Sequence, residues 1–106
     1  MTIPELRALA MALPGSEEAP HFQYSSFRVG GRIYATVPPE GDRVHLFVDP
    51  TLGDGVAGCT PLSWGAKVVG LRVELAVAER EVLTRLLALA WRKRAPRRVQ
   101  AQFDGG

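Results

Sequence analysis

Five cations, Arg92, Lys93, Arg94, Arg97 and Arg98, fall within seven residues near the end of the 106-residue chain. Guanidinium and ammonium groups at this density can neutralise neighbouring phosphates of a nucleic acid and release its condensed counterions. The same cations are favoured at a helix C-terminus by the helix dipole alone, so the cluster has a structural reading beside the functional one. Arginine outnumbers lysine eleven to two. That ratio suits bidentate contacts to phosphate or carboxylate, and a GC-rich coding sequence would produce it too. The formal charge is only +2, so the distribution of charge matters more than its total.

Other reactive side chains are few. His21 follows Glu17 and Glu18 in a loop-like stretch, where it reads as a pH-tuned acid or base, or as a histidine that hydrogen-bonds backbone. His45 stands on a strand with no Cys, Asp or His near it in sequence to complete a metal shell, and reads as a surface polar residue. The lone Cys59 cannot form an internal disulfide and has no base placed near it, which predicts a structural cysteine in a cytoplasmic protein. The glycines at 30–31 and 53–58 lack the strand–loop–helix context and the Lys-Ser/Thr of a phosphate loop. The sequence therefore predicts no catalytic machinery, no metal site and no cofactor.

The elements that must position these residues follow from periodicity. Thr2 and Glu5 have the spacing of a capping box, and Leu6, Leu9, Ala10 and Leu13 recur at helical spacing until Pro14-Gly15. From Ser26 the period becomes two: Phe27 and Val29, then Ile33, Ala35 and Val37, then Val44, Leu46 and Val48. Short breakers between them predict a meander of three antiparallel strands. A strict two-residue turn at Gly30-Gly31 would put Val29 and Ile33 on opposite faces, so a three-residue loop or a bulge is expected there. The glycine-rich stretch from Thr51 to Gly70 reads mostly as loop. Leu71, Val73 and Leu75 form a fourth strand, and Val82, Leu83, Leu86, Leu87, Ala90 and Trp91 stripe one face of a helix that Pro96 ends.

Helix, strands and helix, each helix apolar on one side, predict an α+β two-layer sandwich forming a single domain over residues 1–106. Its antiparallel sheet of about four or five strands carries the N- and C-terminal helices on one face, with a basic C-terminal helix end and a short tail over 97–106. An apolar fraction of 46% and a charged fraction of 23% are those of a packed globular domain. Charges interrupt every apolar run, so no membrane span, no secretory leader and no membrane partner are expected. By alternation the uncovered sheet face would carry Arg28, Arg32, Tyr34, Thr36, His45, Phe47, Arg72 and Glu74.

Several words of the sequence, taken in order, resemble the MmcQ/YjbR family of small bacterial proteins. They are Leu13-Pro14-Gly15 with Glu18 and His21, then Phe27 through Ala35, Val48-Asp49-Pro50, and Arg72 through Leu75 leading into the helix that ends near Trp91. The resemblance implies the frataxin-like (CyaY-like) sandwich, and members are often described as DNA-binding. This chain departs from the pattern after Asp49-Pro50, where three glycines between Thr51 and Gly58 predict a shortened or lost helix, and before the last strand, where Val69-Gly70 replaces a Trp that Trp64 would substitute. An iron site of the kind the fold invites would need an acidic ridge, and the first helix carries only Glu5.

The expectation is thus a non-enzymatic binding protein for DNA. Its contacts would be Arg92, Lys93, Arg94, Arg97 and Arg98, joined by Arg28, Arg32 and Arg72 of the open face, with Tyr34 and Phe47 stacking on unpaired bases. The alternative is a module that binds another protein or a small ligand through the same face.

Overall fold

Thr2 accepts a hydrogen bond from the Glu5 amide, and the Glu5 carboxylate accepts one from the Thr2 amide, closing the expected capping box at the start of α1 (Ile3–Met11). The computed structural model describes residues 1–104. The chain then forms β1 (Ser16–His21), β2 (Tyr24–Val29), β3 (Arg32–Val37) and β4 (Arg43–Leu46), and a single 3-10 turn at Pro50–Gly53. A hairpin of β5 (Cys59–Trp64) and β6 (Lys67–Glu74) leads to α2 (Arg80–Arg94) and α3 (Arg97–Asp104). The strands build one antiparallel six-stranded sheet in the order β1-β2-β3-β4-β6-β5, with the α1–α2 layer on one face. This is the expected α+β sandwich, with more strands than the four or five predicted.

Both additional strands lie at the sheet edges. An edge strand pairs on one side only, so it needs neither strict apolar alternation nor freedom from proline. Ser16–His21 contains Pro20 and two glutamates, and Cys59–Trp64 contains Pro61. The stretch from Thr51 to Gly70 is therefore only partly loop. The family-like helix after Asp49-Pro50 is reduced to the 3-10 turn, whose first amide is capped by the Asp49 carboxylate.

Gly30 and Gly31 both adopt left-handed φ angles, 59° and 77°, which a two-residue hairpin turn of this kind requires and a side chain resists. Val29 consequently pairs with Arg32 and Arg28 with Ile33, while the next pair is Phe27 with Ala35. Tyr34 is the extra residue of a β-bulge. The expectation of a bulge thus holds, but its position reverses two assignments: Ile33 joins the open face and Tyr34 turns into the core, fully buried. Its hydroxyl lies 2.9 Å from Ser16 Oγ and is satisfied there, and burial raises its pKa against the pull of that hydrogen bond. Tyr34 cannot stack on a ligand at the open face.

The core joins Leu6 and Ala10 of α1, Phe27, Val29, Ala35, Val44, Leu46, Leu71 and Val73 of the sheet, and Leu83, Leu86, Leu87, Ala90 and Trp91 of α2. Trp91 is wholly buried, and its indole N–H donates to the Pro14 carbonyl at 2.9 Å, tying the end of α2 to the connection between α1 and β1. Gly70 allows β6 to approach β4, because a Cβ there would lie 2.1 Å from the Leu46 carbonyl oxygen. The expected tail is a helix instead. Pro96 ends α2 but is compatible with a new helical start, and α3 packs Phe103 against Trp91 at 5.2 Å. Gly105 and Gly106, the last residues of that expected tail, lie outside the described residues. No helix among the described residues is long and apolar enough to cross a membrane.

Replacing Leu86, which is 2% exposed, by Ala should destabilise the fold by about 2–5 kcal/mol in chemical denaturation. Tyr34→Phe should cost about 1–2 kcal/mol, since it removes the hydroxyl's contacts with Ser16 Oγ and, more weakly, with the Ala10 carbonyl and keeps the packing. An unchanged midpoint for Leu86→Ala would contradict the core assignment of α2. A Tyr34→Phe variant indistinguishable from the parent would contradict the buried hydroxyl contact.

Candidate binding cleft on the open sheet face

Alternation along β2, β3, β4 and β6 places Ser26, Thr36, His45 and Arg72 in one cross-strand row on the face away from the helices. Phe47 follows on the same side. It meets Trp64, at the end of β5, edge to face with ring centroids 5.5 Å apart. Tyr24 approaches His45 at 6.1 Å from the other side. Phe22 stands at the tip of the β1–β2 hairpin, 92% exposed and at a φ of 57°. A bulky side chain seldom adopts that backbone region, and water disfavours its exposed ring.

These side chains enclose an open cleft of about 650 Å³. Phe22, Tyr24, Ile33, Phe47, Trp64, Val68 and Val69 supply its apolar and aromatic walls, Thr36 and His45 its polar floor, and His21, Lys67, Lys93 and Arg94 the remaining lining. The volume lies in the range of sites that take drug-sized ligands. Lys93 and Arg94 come from the last turn of α2, so part of the cationic cluster and the open face share one cavity. Arg94 Nε is buried and has no hydrogen-bond partner among the described residues.

The rest of the predicted contact set is dispersed. Arg92 is held by a two-pronged ion pair to Asp104 and lies over the Phe103 ring, so its charge is committed within the fold. Arg97 and Arg98 are exposed at the start of α3, outside the cleft. Arg28 donates to Ser26 Oγ and to the Pro20 carbonyl, and Arg32 is exposed at the turn opposite Val29. Arg72 is exposed beside His45 and does not line the cavity. Phe47 lies in the cleft wall as an aromatic contact would require, whereas Tyr34 is in the core.

His45 corrects a further expectation. It is 9% exposed, not a surface residue, because β3 and β6 flank it and the Tyr24 ring lies over it at 6.1 Å. Burial pushes its pKa below the ordinary histidine value, and the charges of Arg43 and Arg72 push it further down against the opposing effect of Glu40. The imidazole is therefore neutral at neutral pH, with one donor and one acceptor nitrogen. Thr36, its cross-strand partner, is 5% exposed.

Sequence reasoning weighed His21 only as an acid or base or a backbone-bonded loop histidine, and missed Phe22, Tyr24, Ile33, Trp64, Lys67, Val68 and Val69 as cleft residues. The exposed aromatic at a hairpin tip would have been legible only if β1 had been recognised as a strand. Among the described residues no three His, Cys, Asp or Glu side chains gather as a metal site. Cys59 is half-buried, and burial raises its thiol pKa, which disfavours a thiolate.

Because the folded His45 binds its proton less readily than an unfolded chain does, stability is complete above the ordinary histidine pKa of about 6.5 and falls as pH drops from there through the depressed folded value. Denaturation midpoints taken at about pH 8, 6.5 and 5.5 should fall for the parent and fall less steeply for His45→Phe. Parallel curves would contradict a buried, neutral His45. Compared with protein-family models and with curated proteins, the chain matches none, so the functional reading rests on the chemistry of the cleft.

Proposed function

We propose that this chain is a non-enzymatic, cytoplasmic nucleic-acid-binding module of the MmcQ/YjbR kind, and that it binds single-stranded segments through the cleft of the open sheet face. One observation carries the reading: Lys93 and Arg94 line the same cavity as Phe47, Trp64 and Tyr24. A strand of unpaired nucleotides offers flat apolar faces joined by evenly spaced negative charges. Aromatic walls with cations at hand complement both features, and stacking on such walls tolerates any base.

Duplex DNA fits the cleft less well, because its bases are stacked on one another and present only their edges in the grooves. A second reading has its own observation. Arg97 and Arg98 are exposed at the start of α3 and form a patch able to touch a duplex backbone without using the cleft.

Salt dependence separates the two. If Lys67, Lys93 and Arg94 each meet one phosphate, the logarithm of affinity for a labelled single-stranded dT oligonucleotide should fall with the logarithm of salt at a slope of about −2. Lys93→Ala/Arg94→Ala should reduce that slope to about −0.7, and Arg97→Ala/Arg98→Ala should leave it unchanged. Fluorescence anisotropy at several salt concentrations measures both. A slope that responds only to Arg97 and Arg98, with duplex bound more tightly than single strand, would replace the cleft by the helix-end patch. Absence of binding to either form at low salt would end the nucleic-acid reading.

A further inference from the structure

Thr36 and His45 face each other across β3 and β4 at the floor of the cleft, each more than nine-tenths buried. No side-chain hydrogen bond joins either to another described residue. Ser26, the next member of the same row, shows the contrast: its hydroxyl donates to the Ala19 carbonyl at 2.7 Å and accepts from Arg28, so it is fully engaged. Residues this deeply buried ordinarily have their polar groups paired, and the polar atoms of these two are not sealed off but keep access to the cleft. Two adjacent ones left open toward a cavity with aromatic walls are in the position of groups whose partner comes from outside.

We infer that Thr36 and His45 form a hydrogen-bonding floor that reads the edge of a single flat heterocycle, one unpaired base of the bound strand, seated in the cleft with its phosphate toward Lys93 and Arg94. This rests on the single-strand reading above and adds specificity to it. Stacking on Phe47, Trp64 or Tyr24 does not distinguish one base from another, because every base has a π-face. A hydroxyl and a neutral imidazole do distinguish them. Each offers one donor and one acceptor on a side chain held by the sheet, and a base whose edge does not complement them leaves polar atoms of the floor unpaired. Sugar and backbone stay outside the floor, so the discrimination concerns base identity at one position of the strand, while the charged lining sets affinity common to all sequences.

The test compares labelled dT, dC and dA homo-oligomers at low salt by anisotropy, with the parent chain, Thr36→Val and His45→Phe. The parent should separate the best from the worst oligomer by about tenfold, and each variant should compress that spread by about threefold or more while retaining the salt slope. Thr36→Ser, which keeps the hydroxyl, should keep the spread. It also serves if a larger change at this buried position disturbs folding, which circular dichroism would reveal. Equal affinity for the three oligomers in the parent, or a spread unchanged in both variants, would overturn the floor as a base reader while leaving single-strand binding intact. Direct titration with free nucleoside 5′-monophosphates, followed by the fluorescence of Trp64 in the cleft wall, separates the remaining cases. If no strand binds but a monophosphate does, and Thr36→Val weakens it, the floor stands and the strand reading falls. If neither binds, both fall.

Discussion

The left-handed pair at Gly30 and Gly31 leaves the β2–β3 hairpin no freedom in its first register, and Val29 must face Arg32. Continued without interruption, that register would pair Tyr34 with the core-facing Phe27 but turn Ala35 toward the open face and Thr36 into the core. The single extra residue in β3 resolves this conflict. It lets Tyr34 and Ala35 both point at the helices, and it leaves Ile33 on the open side as part of the cleft wall. Past the bulge, Thr36 takes the open face opposite His45, which aligns the polar floor. The buried Tyr34 hydroxyl, satisfied by Ser16 of β1, ties this register to the edge strand. A bulge is also where a strand bends, as expected beside a concave surface.

The second determinant is the course of α2. Its apolar stripe holds it against the sheet, and the Trp91 hydrogen bond to Pro14 fixes its last turn. The helix ends where the open-face cavity begins, so the residues after Trp91 divide by direction. Arg92 turns to Asp104 of α3, while Lys93 and Arg94 line the cavity. The dipole of α2 favours all three cations equally. Their different surroundings give them different roles: one neutralised within the fold, two lining the cavity. Lys93 also lies close enough to Asp49 to lower that carboxylate's pKa, in addition to the effect of the Thr51 hydrogen bonds.

The parts of this arrangement legible in the sequence were those governed by local periodicity and strong burial. The capping box of α1, the meander, the last strand and the stripe of α2 each follow from apolar spacing over a handful of residues. The edge strands β1 and β5 were hidden because half-paired strands tolerate Pro20 and Pro61 and need no alternating pattern. Tyr34 was misassigned because strict alternation does not reveal where a bulge falls, although a conflict at Gly30-Gly31 announced that one was needed. For the cleft, Phe47 was legible by alternation from Leu46, and Lys93 and Arg94 by their charge. Phe22, Tyr24, Trp64 and Lys67 were not, since they arrive from two hairpin tips whose strands were unrecognised. His45 was misread as exposed for a related reason: its burial comes from neighbours distant in sequence.

An amide NMR titration with a short single-stranded dT oligonucleotide at low salt tests the central claim most directly, because it locates contact residue by residue. The account predicts progressive shifts at Tyr24, Thr36, His45, Phe47, Trp64, Lys93 and Arg94, with Glu5 and Arg80 on the opposite side unmoved. Shifts confined to Arg97, Arg98 and the rest of α3, or a spectrum that does not change at any oligonucleotide concentration, would contradict it.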